Sequence, residues 1–120
     1  MMLKSVNEEQ LDVLINQKGL FLIDFWAPWC APCKQFGRIY EQVAEQNPDI
    51  DFVKINIEEQ PQIADAFQIR SIPHLMIIKE GIAIYSESGS MPESTLKELL
   101  QQAQDIDVSE ILNKMNQDEG

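Results

Sequence analysis

"LFLIDFWAPWCAPCK", residues 20–34, packs a short apolar run, an aspartate inside that run, both tryptophans and both cysteines of the 120-residue chain into one stretch. Residues 20–26 have the length and continuous apolar character of a strand buried on both faces, as central parallel strands are. From Pro32 to Gln46 the sequence reads as a helix. Pro32 stands near its first turn, where a missing N–H costs nothing, and Pro48 lies just past its end. Cys30 and Cys33 therefore sit where a central strand hands over to a helix start.

Two cysteines cannot form the disulfide framework of a small secreted domain, and with a single histidine they cannot complete a four-ligand zinc site within one chain, so no metal is expected. Chance would place two cysteines at this spacing in roughly one such chain in sixty, so context has to add to the signal. In a first helical turn, residues i and i+3 face the same way at a separation that suits a disulfide. Closing so small a ring stabilises a fold little, which argues against a structural staple. Free N–H groups and the positive end of the helix dipole favour a thiolate, and lower the pKa of the first cysteine. Cys30 is the expected nucleophile, forming a mixed disulfide with a partner. Cys33, held beside it, is the expected resolving thiol.

Asp24 is the anomaly of the strand, because an isolated buried carboxylate costs several kcal/mol unless it is paired or protonated. A raised pKa makes it a candidate proton acceptor for Cys33, with Lys54 on the next strand as its charge partner. The alternative is an Asp–Lys pair with no chemical part; beside two thiols the first reading is favoured. Trp26 reads as a core or rim aromatic. Trp29, next to the nucleophile, offers apolar surface to an incoming polypeptide.

Outward from this stretch the chain alternates helix and strand. Asn7 with Gln10 forms a capping-box pattern ahead of Leu11, Leu14 and Ile15, and Gly19 closes that helix. "DFVKINI" (51–57) is a strand, Pro61 opens a short helix, and "HLMIIK", "EG", "IAIYSE" (74–87) is a hairpin. After "GSMPES" (89–94), Leu96, Leu99, Leu100 and Ala103 mark a helix. The expected order is α-β-α-β-α-β-β-α, an α/β domain with a mixed sheet of about four strands and helices on both faces. The expected division is a domain over residues 1–104 and an extension over 105–120, where Val108, Ile111, Leu112 and Met115 suggest a short docked helix; a partner-binding stripe is the alternative.

One domain is all that 120 residues accommodate. Nine basic against 20 acidic residues give a net charge of -11, which repels phosphate backbones and excludes a nucleic-acid footprint. No apolar run approaches the roughly 20 residues a membrane helix needs. "MMLKSVNEEQ" has no basic flank followed by an apolar core, so a cytoplasmic protein without membrane contact is expected.

Taken together, these residues resemble the thioredoxin family over roughly residues 5–103. The resemblance is carried by "LIDFWAPWCAPCK", by "VKINIEEQPQIADAFQIRSIPHLMIIKEG" (53–81) and by "ESGSMPESTLKELL" (87–100). It implies a thioredoxin fold and a cis Ile72–Pro73 bond that sets the Ile72 backbone opposite the thiols. It also places Gly89 in a loop bordering the substrate groove, where the missing side chain permits close approach, and implies that Trp29, Ala31, Pro32, Ile72, Pro73 and Gly89 line a shallow peptide groove. The implied activity is that of a protein-disulfide reductase, a thiol–disulfide oxidoreductase whose Cys30–Cys33 pair carries the electrons without a bound cofactor. Disulfide-containing proteins are the implied substrates of a monomer, and an NADPH-fed flavin-dependent thioredoxin reductase the implied electron source.

Three departures from the family pattern stand out. Ala31–Pro32 replaces the usual Gly-Pro between the cysteines. Gly37 and Arg38 occupy the region where a kinking proline is common, so the helix is either straighter or bent at Gly37. His74 follows Pro73 where threonine is common, and an imidazolium there would help to stabilise the Cys30 thiolate, although strand alternation argues for a deeper or sideways placement. The altered dipeptide and His74 keep open an oxidant or isomerase as an alternative to the reductase, and a third reading is an interaction module that holds a partner through the thioredoxin surface and the C-terminal extension, with redox activity incidental.

Overall fold

The residues whose side chains sit between two helix layers form the middle of a five-stranded sheet, because burial on both faces is what a continuously apolar strand requires. The computed structural model describes the backbone of residues 3–119 and the side chains of residues 4–114. In chain order its elements are β1 (Leu3–Ser5), α1 (Glu8–Asn16), β2 (Leu20–Trp26), α2 (Ala31–Glu45), β3 (Asp51–Asn56), α3 (Pro61–Ala66), β4 (His74–Lys79), β5 (Ile82–Ser88), α4 (Glu93–Asp105) and α5 (Val108–Glu119). The sheet order is β1-β3-β2-β4-β5. β1, β3 and β2 run parallel, while β4 is antiparallel to both β2 and β5.

The expected α/β architecture with helices on both faces is observed, with one correction: the sheet has five strands where about four were expected. The additional strand, β1, is three residues long and pairs Leu3, Lys4 and Ser5 with Phe52, Val53 and Lys54. Helix α1 begins as expected, with Asn7 accepting from the Gln10 N–H and the Gln10 side chain accepting from the Asn7 N–H. It ends at Asn16, ahead of Gly19. Glu80 and Gly81 both take positive φ (52° and 78°), the conformation that a two-residue hairpin between right-twisted strands demands.

Alternation along β2 divides the core. Phe21, Ile23 and Phe25 pack with Leu11 and Leu14 of α1 and Ile63 of α3. Leu22 faces the other way, toward Phe36 and Tyr40 of α2 and Leu96 of α4. Tyr40 ties α2 to the sheet twice: its ring meets Phe52 edge-on at 5.2 Å, and its hydroxyl donates to the Val53 carbonyl at 2.9 Å. Truncating the fully buried Phe36 to alanine would cost about 3–5 kcal/mol by the usual measure of a lost core aromatic. Helix α2 is therefore clamped along its length, and its first turn is fixed at the C-terminal end of β2.

Helix α4 ends against β4. Lys79 Nζ donates to the carbonyls of Ala103, Gln104 and Ile106 at 2.8, 2.9 and 2.7 Å, so a cation covers the orphan carbonyls of the last turn. Helix α5 follows after Asp107, with Val108 buried and Leu112 exposed. Of the expected stripe, Val108 is buried, Ile111 half-buried and Leu112 exposed among the described side chains, and Met115 lies outside them. Among the described residues no helix is long and apolar enough to cross a membrane.

Candidate active site

Cys30 is the N-cap of α2 and Cys33 its third helical residue, which places both thiols in the first turn as the spacing implied. They are joined by a disulfide with a Cα–Cα distance of 5.2 Å. The Cys33 N–H donates to Cys30 Sγ at 3.2 Å. The sulfur of the first cysteine thus occupies the place of an ordinary capping oxygen, accepting one of the otherwise orphaned donors of the helix start. A thiolate in that position would receive the same N–H bond in charge-assisted form, in line with the positive end of the helix dipole. Cys30 and Cys33 pack against Ala27, with Trp26, Ile57 and Ile72 around them. Both cysteines are buried, at 5% and 3% exposure.

Asp24 lies on the face of β2 that α2 covers, two residues along from Leu22. It is fully buried, and neither oxygen has a hydrogen-bond partner among the described residues. Burial pushes its carboxyl from 3.8 up to about 7, against the opposing pull of the Lys54 charge. Tyr40 feels the same buried carboxyl: desolvation first, then the Asp24 charge, raise its phenol well above 10. Asp24 and Lys54 are register partners on β2 and β3, as expected. Their side chains do not meet as an ion pair, because Lys54 Nζ lies over the Trp26 ring, 4.8 Å from its centroid. Lys54 acts on Asp24 as a charge at a stand-off.

Of the residues assigned to a groove, Ile72 packs beside the thiols. The Ile72–Pro73 bond is cis, and the Ile72 carbonyl oxygen is 3.8 Å from Cys30 Sγ. Gly89 N–H donates to the Pro73 carbonyl at 2.7 Å, which ties the third loop to the second. Gly89 holds φ at 108°, a conformation that favours glycine, and open space lies where a side chain would stand. Ala31 and Pro32 are exposed at the first two positions of α2. Trp29 is 65% exposed, and its indole N–H donates to a Glu58 carboxylate oxygen. Glu58 went unnoticed in the sequence, where its only signal is an acidic residue following the strand that carries Lys54.

His74 opens β4 and points away from the Asp24 face, edge-on to Phe25 at 6.0 Å. Its Nε2 is 2.8 Å from Ser86 Oγ on β5. Desolvation lowers its pKa below 6.5 despite the Glu87 charge, so the ring is neutral near pH 7. Its contacts with Phe25 and Ser86 lie on the face of the sheet opposite Asp24. Helix α2 continues without a break in its helical assignment through Gly37 and Arg38.

Comparison with known proteins agrees with this geometry. The family model described as thioredoxin matches residues 2–102. A Streptomyces coelicolor protein carrying a thioredoxin name is 45% identical over 106 residues, spanning 88% of this chain and 79% of its own. Thioredoxin of Mycoplasmoides gallisepticum is 37% identical over 94 residues, 78% of this chain and 94% of its own. The crystal structure of Malassezia sympodialis thioredoxin superposes with a TM-score of 0.76 at 27% identity, covering 86% of this chain and 95% of that one.

Proposed function

This chain belongs to the thioredoxin family and is a thiol–disulfide oxidoreductase, and from that premise we propose that it works as a protein-disulfide reductase. The observation that carries the reading is the Cys33 N–H bond to Cys30 Sγ at 3.2 Å, which marks Cys30 as the sulfur whose anion the helix start stabilises.

In the reduced protein the Cys30 thiolate attacks one sulfur of a substrate disulfide. A Cys30–substrate disulfide forms as the substrate S–S bond breaks, and the departing sulfur leaves as a thiolate that takes a proton from solvent. Cys33 then loses its proton and attacks Cys30 Sγ. The mixed disulfide breaks, the second substrate thiol departs, and the Cys30–Cys33 bond closes. Two electrons have passed to the substrate and no bound cofactor is needed. Asp24 is the acceptor for the Cys33 proton: a buried carboxyl titrating at about 7 is matched to that transfer at neutral pH. Lys54 limits how far burial raises it.

Trp29, Ala31, Pro32, Ile72, Pro73 and Gly89 form the substrate groove. The Ile72 backbone beside Cys30 gives an extended peptide a hydrogen-bonding edge without reading its side chains. Such a site suits many unfolded or extended polypeptides. Thioredoxins are recycled by thioredoxin reductase, and an NADPH-fed flavoenzyme of that kind is the proposed donor for this chain, acting on a cytoplasmic monomer.

Insulin reduction by a small-dithiol or reductase couple tests the proposal. Cys30→Ser should fall to the uncatalysed rate, whereas Cys33→Ser should stall as a mixed disulfide visible on a non-reducing gel. A Cys30→Ser protein as active as the wild type would defeat it.

A further inference from the structure

Lys54 is the charge nearest to the proton-handling carboxylate, and its position has two walls. One is the Trp26 ring, under its Nζ at 4.8 Å from the centroid. The other is Gly37 of α2, a buried residue on which a Cβ would stand 3.7 Å from the same Nζ. That gap is where a longer side chain at 37 would lie. An ammonium seated on an indole face gains from the ring quadrupole, the more so when partly desolvated, and is held there against the pull of a carboxylate.

We propose that Gly37 and Trp26 are positioning residues that seat the Lys54 ammonium at a stand-off from Asp24, so that the buried carboxylate exchanges a proton instead of being locked in a contact ion pair. The inference rests on the reductase reading for its chemical meaning, but its geometry is independent of it. Gly37 accordingly leaves a space in the helix face beside Lys54. The groups that act on Asp24 from the elements packed on it are Lys54 from β3 and Tyr40 from α2; its register partner on β4 is Leu75, which does not titrate, and Cys33 on α2 is held in the disulfide. Of these, only Lys54 carries a mobile charge.

The seat opens on one side to solvent. Lys54 also lines an open polar pocket of about 180 Å³ with Ser5, Asn7, Gln10, Asn56 and Glu59. A flexible side chain at position 37 would fill the space over Nζ and drive the ammonium into that pocket, toward solvent and away from Asp24. Asp24 would then lose the charge that opposes its desolvation, as it does when Lys54 itself is removed.

The test is a titration of the Asp24 carboxyl carbon by NMR in the oxidised, carbon-13-labelled full chain. Gly37→Met should move the Asp24 midpoint upward, in the direction of Lys54→Met and by most of its shift. The double variant should move no further than Lys54→Met alone, since both remove one interaction. Gly37→Ala should titrate as the wild type does, because 3.7 Å is an ordinary contact. A Gly37→Met midpoint at the wild-type value while Lys54→Met shifts, or fully additive shifts, would overturn the proposal. Should Gly37→Met not fold, the wild type still decides: the Lys54 ε-methylene protons must be shifted upfield by the indole ring current, and ordinary lysine shifts would overturn the seat. A wild type inactive on insulin would defeat the reductase reading while leaving these shifts in place, so the two failures are distinguishable.

Discussion

Asp24 and Lys54 are register partners on neighbouring parallel strands, yet the ammonium of one rests on Trp26 and the carboxylate of the other has no hydrogen-bond partner among the described residues. Between pH 3.8 and about 7 the folded chain therefore holds a proton that the unfolded chain has released. The stabilisation this gives is full below the unfolded value and is lost as pH rises through the folded one. Spread over that window it amounts to about 4 kcal/mol for a fully excluded carboxyl. Urea unfolding of wild type and Asp24→Asn should show the variant gaining about that much relative to wild type between roughly pH 4 and pH 8. A constant difference across the range would show that Asp24 is not titrating as described.

Trp29 is exposed and its indole N–H donates to Glu58, so the proposed function assigns its apolar face to substrate. Trp29→Ala should raise KM for insulin about 10-fold, which is about 1.4 kcal/mol of lost contact, and leave kcat within about 2-fold. Glu58→Ala should shorten the rotational correlation time of the Trp29 indole and raise KM by less. A fall in kcat at unchanged KM would place Trp29 in the chemistry instead of the groove.

His74 is bound to Ser86 and neutral near pH 7, so it adds no charge beside the thiols. His74→Thr should leave the Cys30 thiol pKa where it is, measured by thiolate absorbance in the reduced protein. Loss of the Ser86 hydrogen bond should lower stability by about 1 kcal/mol. An upward move of the Cys30 pKa on substitution would restore His74 as a tuning group.

Among the described side chains of helix α5 only Val108 is buried, while Lys79 caps α4 through carbonyls that end at Ile106. Truncation after Asp107 keeps the cap and removes the helix. Stability should fall by about 1–2 kcal/mol, the worth of one buried valine, with insulin reduction unchanged. Loss of activity in a folded truncated protein would mean that residues 108–120 serve the reaction.

Periodicity and turn chemistry made most of this fold legible. The Asn7–Gln10 box, the central strand, the helix start at the cysteines and the hairpin at Glu80 and Gly81 are local signals, and each appears where the residues put it. Strand β1 was not legible, because three residues are too few to show an alternation and its existence depends on pairing with β3. The site divides the same way. Cys30, Cys33 and Asp24 stood out as chemistry in an unlikely setting. The seat of Lys54 did not: adjacent strands make it a neighbour of Asp24, but whether its five-atom side chain ends on a carboxylate or an indole is settled only by packing in the folded chain. Glu58 was equally hidden, since only the folded chain brings a loop after β3 to Trp29.

The reduction potential of the Cys30–Cys33 pair tests the central claim most directly, equilibrated in dithiol buffers and followed by the fluorescence of Trp26 and Trp29. A reductase requires a value near about -270 mV, where the dithiol is an effective donor. A value between about -180 and -120 mV would make the pair an oxidant or isomerase and contradict the account.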